Sequence, residues 1–420
     1  MGSILLLTFL GCLALGVPIA FSVAVAGVVV LIIGDVNLLI VVQRLFASSD
    51  SFSLVAIPFF ILAGDLLARG EMSKMLVAFA EACIGKIKGG LSAVSVLASM
   101  FFAAISGSGA ATTAAVGTSM LPELEKRGYE VDRAAALIAS GGCIGVVIPP
   151  SVPMVLYAVI AEQSVTRLFK NGFFPGFMMG GILIAISLFE AKKLNYPDGR
   201  AFEFKYMVET LKKAIWALIM PLIILGGIFS GYFTPSEAAG VAVVYSMFAS
   251  MFIYKDLTLK ELGQIMLGSG KTSAIIMTII ACSGVFGWAL ANWQIPEAIA
   301  QAVLSISSNK YIILFLMAVI ILIAGVFMET SSAIILITPV FLPLVRMLGI
   351  DLIHFGLIFT IGIAIGMITP PVAIDLFVAS SVTGMPIERI AKKVVPYLIG
   401  LIIVFYVYLY LPLFIPSLIL

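Results

Sequence analysis

The chain has 420 residues, of which 62% are hydrophobic and 11% charged, with a net charge of +2. A soluble domain averages about 25% charged residues, so this chain lacks the polar groups to cover a water-facing surface of ordinary size. Near-neutral charge without a basic patch argues against nucleic-acid binding, and the lone His354 with isolated Cys12, Cys83, Cys143 and Cys282 offers no metal spacing and no disulfide framework.

The first apolar run covers residues 4–33, and the first basic residue is Arg44. A cleaved signal peptide carries a basic leader, so this run reads as a retained first span. Further runs cover 173–188, 214–229, 312–327 and 394–415. They approach the roughly 20 residues that a helix needs to cross about 30 Å of hydrocarbon. With the shorter runs added, the sequence predicts roughly ten to twelve membrane-embedded segments. Helices are expected because they satisfy their own backbone hydrogen bonds in lipid, and the two-residue alternation of a membrane β-barrel is absent.

Asp65 has Arg69 four residues on, a spacing that allows a helix ion pair. The next feature is a break of small and hydroxyl residues at 105–113, Ile-Ser-Gly-Ser-Gly-Ala-Ala-Thr-Thr. Its flanks are too short for two crossings, so a re-entrant helical hairpin is expected with the Ser-Gly turn at its tip. Pro149-Pro150-Ser151 follows. A proline removes a donor and clashes with the carbonyl four residues earlier, so two together should break the helix and free carbonyls.

Residues 191–213 form the one long polar stretch, with Lys192, Lys193, Arg200, Lys205, Lys212 and Lys213 around the turn signal Asn195-Tyr196-Pro197-Asp198-Gly199. It reads as a cytoplasmic amphipathic linker. It divides a first repeat over 1–190 from a second over 214–420. Glu237 after Thr234-Pro235-Ser236 looks like a first-turn helix residue. Gly268-Ser269-Gly270-Lys271-Thr272 imitates a P-loop, but Ile265 stands where that motif requires glycine. The second half repeats the two breaks as Met328-Glu329-Thr330-Ser331-Ser332 and Thr369-Pro370-Pro371.

An offset of 221 residues superposes Pro122 on Pro343, Gly128 on Gly349, Gly145 on Gly366, Pro149-Pro150 on Pro370-Pro371 and Pro175 on Pro396. Internal duplication marks secondary transporters, whose halves often run in opposite directions. Lys126, Arg127 and Arg133 in the first copy face only Arg346 before His354 in the second, a charge asymmetry that favours inversion. Broken backbone at membrane depth is tolerated where it lines a cavity. Its carbonyls and hydroxyls are hard ligands for Na⁺, and half-helix N-termini attract an anion. A hairpin tip facing a broken helix, twice over, is therefore a paired site for cations and an anionic solute. Small residues in membrane helices also serve close packing; their repetition in both halves favours the functional reading. Charged residues inside apolar runs need a partner or a wet cavity. Glu329 beside the second tip is expected to contact solute or a gate. Asp375 is expected either in the site or as a cap on the half-helix that starts at the prolines.

Phe59-Phe-Ile-Leu-Ala-Gly-Asp65, the Ser-Gly-Ser-Gly-Ala tip, Gly145-Val-Val-Ile-Pro-Pro-Ser151 and Ile368-Thr-Pro-Pro371 resemble the large membrane subunit of tripartite ATP-independent periplasmic (TRAP) transporters. The resemblance covers essentially the whole chain in length, duplication and motif order. It implies an all-α polytopic membrane protein of two inverted repeats with an elevator-type fold, in which a domain carrying both hairpins slides against a scaffold. It implies Na⁺-coupled import of an organic acid anion, such as a dicarboxylate or sialic acid, across the bacterial inner membrane. Two partners are implied: a small four-helix membrane subunit on a separate chain, and a soluble periplasmic binding protein that delivers the solute. No ATP, other cofactor or enzymatic activity is implied, and Na⁺ is the only metal.

Carried onto this chain, sodium site 1 comprises Ser106, Gly107, Ser108, Gly145, Ile148 and Pro150. Sodium site 2 comprises Gly325, Met328, Thr330, Gly366, Ile368 and Thr369. The solute is expected near Ser106, Ser151 and Glu329. The rivals are a stand-alone Na⁺/carboxylate symporter of the divalent-anion family and, with no nucleophile–base pair or metal set to support it, an intramembrane enzyme.

Overall fold

The computed structural model describes residues 1–68, 71–84, 86–199, 201–307 and 309–419. Among them the chain is helical throughout, apart from one isolated bridge between Lys88 and Asp198. The first half comprises α1 (Gly2–Ala14), α2 (Ile19–Ile33), α3 (Leu39–Ser49), α4 (Ala56–Leu67), α5 (Glu71–Ile84), α6 (Gly90–Ser106), α7 (Gly109–Lys126), α8 (Val131–Gly142), α9 (Val152–Ala161) and α10 (Val165–Lys193). The second comprises α11 (Phe204–Phe229), α12 (Pro235–Phe248), α13 (Leu259–Asn292), α14 (Ile295–Ile306), α15 (Lys310–Phe327), α16 (Thr330–Met347), α17 (Leu352–Gly366), α18 (Ile374–Thr383) and α19 (Ile387–Phe414).

Among the described residues, seven helices are long and apolar enough to cross a membrane, or eight if α3 and α4, bent by 60°, count as one span. The ten to twelve embedded segments expected from the sequence included shorter runs, and several apolar runs do fold as helices of 10–17 residues. The run at 4–33 is one of these: Gly16 takes a left-handed conformation at φ 79° and Pro18 starts the next helix, so the expected single span becomes α1 packed on α2. At about 1.5 Å per residue, the ten-residue α9 and α18 each reach only about half of the hydrocarbon thickness. They are the second pieces of the two helices broken at the double prolines.

The polar stretch at 191–213 is mostly helical. α10 runs into it and α11 starts within it, with loop at 194–199 and 201–203; Arg200 lies outside the described residues, as does Arg69, the expected partner of Asp65. Asp65 accepts a hydrogen bond from Ser269 Oγ of α13 at 2.5 Å. Glu237 forms a capping box with Thr234, as the sequence indicates. Residues 268–272 lie inside the uninterrupted α13.

The 221-residue offset recurs in the helix bounds. α7 and α16 are both 18 residues long and start 221 residues apart, and the turns after them place Gly128 and Gly349 at positive φ. The Pro149–Pro150 and Pro370–Pro371 peptides are both cis. The halves interlock: α7 packs on α18, and α16 packs on α9. The equivalent helices α10 and α19 lie side by side in opposite directions. Tyr397 Oη donates to Glu190 at 2.6 Å, Gly400 meets Ile186, and Phe174 meets Tyr408. Every residue of α17 from Ile353 to Gly366 is buried, as is the stretch 134–158 around the first break. A helix that is apolar all round belongs inside a bundle, and these two broken helices form the core.

One end of this core carries a charge cluster. Arg133 pairs with Glu130 at 2.6 Å and Glu190 at 2.8 Å, and Lys393 reaches Glu130 at 3.4 Å. The hydrogen bond from Arg133 holds the Glu130 carboxyl below the usual carboxylate range. This cluster joins the starts of α8 and α19 to the end of α10.

Candidate functional site

The tip of the first hairpin is made by two backbone conformations. Gly107 ends α6 at φ 61°, a region that glycine enters without a Cβ penalty, and Ser108 is extended and starts α7. Ser108 Oγ accepts from the Ala111 N–H at 3.4 Å as the helix cap. Ser106 Oγ donates to the Ser108 carbonyl at 3.2 Å and shares a hydrogen bond of 2.9 Å with Thr112 Oγ1.

This tip rests directly on the first break. After α8 the chain tightens through residues 143–146 and passes the two prolines, and Ser151 caps α9. A Cβ on Gly107 would lie 2.6 Å from the Pro150 carbonyl oxygen, and one on Gly145 would lie 2.6 Å from both the Ser108 carbonyl and Thr112 Oγ1. Ser106, Gly107, Ser108, Gly145 and Pro150 therefore come together with several oxygens between them. Ile148 is buried in the same break, its N–H on the Ile144 carbonyl at 3.0 Å. Thr112 belongs to this group but was absent from the expected ligands. Its spacing of four from Ser108, one helical turn, was the available signal.

The second tip is built from different side chains. Met328 and Glu329 are extended, and Glu329 caps α16: Oε2 accepts from the Ser331 and Ser332 N–H groups at 2.9 and 3.2 Å, and Oε1 from Ser331 Oγ at 3.1 Å. Thr330 Oγ1 donates to Met367 Sδ at 3.2 Å. In the second break the Thr369 hydroxyl bonds the Ile365 carbonyl at 2.8 Å, and Ile368 is buried. Gly325 and Gly366 lie back to back, since a Cβ on Gly325 would come within 3.1 Å of the Gly366 Cα. The six expected residues of site 2 thus lie along one tip and the break it touches, and the Thr330 and Thr369 hydroxyls, which donate to Met367 Sδ and the Ile365 carbonyl, keep their lone pairs beside the backbone carbonyls.

Both tips open into one cavity of about 350 Å³. Its lining includes residues 106–111 and 329–331 from the tips, Val152 and Pro153 from α9, and Met367 from the second break. The opposite wall is Ile61, Gly64 and Asp65 of α4 with Thr272 and Ile276 of α13. Of the expected solute contacts, Ser106 and Glu329 line this cavity. Ser151 does not: it is fully buried, donating to the Val146 carbonyl at 2.6 Å and accepting from the Met154 N–H. The charged lining residues are Asp65 and Glu329, both acidic. An anion held here would rest on helix N-termini, hydroxyls and bound cations rather than on lysine or arginine.

Of the two acidic residues singled out in the second half, Glu329 lines the cavity as expected and also caps a helix, while the capping alternative for Asp375 does not hold. Asp375 lies in the first turn of α18 behind Ala373, fully buried, and neither carboxylate oxygen has a hydrogen-bond partner among the described residues.

Comparison with known proteins places the chain in a family and a fold. A family model described as the DctM component of the tripartite ATP-independent periplasmic transporter matches residues 6–414. The C4-dicarboxylate TRAP transporter large permease protein DctM of Pseudomonas aeruginosa is 41% identical over 369 residues, covering 88% of this chain and 86% of that protein. The sialic acid TRAP transporter large permease protein SiaM of Vibrio cholerae is 34% identical over 397 residues, covering 94% and 93%. The crystal structure of the YdaH transporter of Alcanivorax borkumensis superposes with a TM-score of 0.63 at 15% identity, covering 90% of this chain and 88% of that one, which shows a shared fold.

Proposed function

The chain belongs to the family of the DctM component, the large permease of tripartite ATP-independent periplasmic transporters, and we propose that it imports an organic acid anion across a bacterial inner membrane in exchange for the energy of a Na⁺ gradient. The observation that carries this reading is the shared cavity: two tips from two repeated halves meet at one space of a size suited to a small molecule. Each tip presents a capped helix N-terminus beside a broken helix whose carbonyls and hydroxyls suit a dehydrated Na⁺. The proposed solute contacts are Ser106, Glu329 and the first turn of α7. The proposed Na⁺ ligands are the two tip-and-break groups, with Thr112 added to the first.

The antiparallel pairing of α10 with α19 supports an inverted relation between the halves, with re-entrant hairpins in each. The cavity lies between the tips and the α4–α13 wall. In an elevator cycle, the hairpins and broken helices would slide along that wall and carry the solute with them. A dicarboxylate or sialic acid is the proposed solute class, from the relatives in which those solutes are named. The proposed partners are a small membrane subunit and a soluble periplasmic binding protein.

Reconstitution of the chain with these two partners in liposomes tests the reading. Uptake of labelled solute should require both the binding protein and an inward Na⁺ gradient. Uptake by the chain alone with Na⁺ would instead make it a stand-alone symporter, and uptake indifferent to Na⁺ would remove the coupling.

A further inference from the structure

We propose that Asp375, Thr113 and the Gly109 carbonyl form an additional Na⁺ site between the two tip-and-break groups, where α7 of the first half meets α18 of the second. The proposal rests on the Na⁺-coupled reading above and adds an ion to it.

Asp375 is fully buried, and so is Thr113. Neither Asp375 oxygen nor Thr113 Oγ1 has a hydrogen-bond partner among the described residues. Buried polar groups are almost always paired, and an isolated buried carboxylate is more costly still. Two such groups side by side point to something that satisfies both. They do converge. A Cβ on Gly109 would lie 3.0 and 3.2 Å from the two Asp375 oxygens. A Cβ on Gly142, at the end of α8, would collide with Thr113 Oγ1 and lie 3.0 Å from both Asp375 Oδ2 and the Gly109 carbonyl oxygen. Carboxylate, hydroxyl and carbonyl oxygens thus face one glycine surface, and glycine leaves that space open.

All three donors are hard oxygens, the set that suits a hard cation. One carboxylate balances one positive charge. No group of three or more His, Cys, Asp or Glu that could hold a metal is found among the described residues, so a monovalent ion fits the charge. The location gives the ion a task. Gly109 follows the Ser108 cap of the first tip, and the Asp375 N–H bonds the Met367 carbonyl of the second break at 3.0 Å. A cation here ties the tip of one half to the broken helix of the other.

The test is equilibrium binding of radiolabelled Na⁺ to the full chain in lipid nanodiscs, counted per chain. Asp375→Asn preserves shape and should bind one Na⁺ fewer than the wild type, while Ser106→Ala, at the first tip, should leave this ion bound. Thr113→Val removes a hydroxyl that bonds no described protein group, and should weaken one Na⁺ about tenfold without lowering the melting midpoint in Na⁺-free buffer. Should Asp375→Asn fail to fold, Thr113→Val decides alone. Equal Na⁺ counts and affinities in wild type and both variants overturn this site and leave the two tip sites standing. No Na⁺ binding by the wild type overturns the coupling itself, and this site with it.

Discussion

Replacing Gly145 by alanine probes the contact between the first tip and the first break. The added Cβ would sit 2.6 Å from both the Ser108 carbonyl and Thr112 Oγ1, about 0.8 Å inside the 3.4 Å at which ordinary contact begins. Residues 134–158 are buried throughout, so the break has nowhere to retreat. The tip must withdraw instead. Overpacking of this kind costs roughly 1–3 kcal/mol. Because about 1.4 kcal/mol is a tenfold change in an equilibrium constant, the half-saturating Na⁺ concentration for uptake should rise about tenfold. Gly181→Ala is the control, since no atom lies within 4 Å of its Cβ position. In a helix interior, alanine is favoured over glycine by roughly 0.5–1 kcal/mol, so this variant should be neutral or slightly stabilising. Na⁺ titration of solute uptake in reconstituted vesicles, with a melting curve for each variant, separates the outcomes. A Gly145→Ala protein with wild-type Na⁺ dependence would show that the tip and the break do not hold the ion between them.

Two other substitutions test the roles assigned to charged residues. Glu329→Ala should cost about 1 kcal/mol of stability through loss of the α16 cap, whereas Glu329→Gln keeps an oxygen for the two N–H groups. The glutamine variant should melt near the wild type yet change the KM for an anionic solute, and normal uptake kinetics would remove Glu329 from the solute site. Arg133→Ala should lower stability by about 1 kcal/mol at neutral pH, the upper end for partly exposed pairs. The Glu130 carboxyl is held below its ordinary value of about 4.5 by Arg133. Its contribution is therefore complete above that pH and is lost as pH falls through the lowered value. Melting midpoints recorded on acidification should fall less steeply in Arg133→Ala than in the wild type; parallel slopes would refute the assignment.

Local backbone chemistry was legible in the sequence because proline, glycine and helix caps act over a few residues. The double prolines announced both breaks, the Ser-Gly-Ser turn announced the first tip, and the offset between Gly145 and Gly366 announced a duplication that the helix boundaries repeat. Span count was less legible. Hydropathy does not register that Gly16 turns the chain within the 4–33 run, or that α9 and α18 stop after ten residues.

Tertiary structure decided the surroundings of Asp375, whereas Ser151 and Glu329 are held by partners within five residues. Composition marks all three as polar groups in apolar surroundings and says nothing about what each one meets. Ser151 turns inward to the Val146 carbonyl, and Glu329 folds back on its own helix. Asp375 lies against Gly109 and Gly142 of the other half because α18 packs on α7 and α8. A contact between segments so far apart in the chain depends on how two halves interlock. No local pattern encodes it, and the shared cavity exists only once that packing has formed.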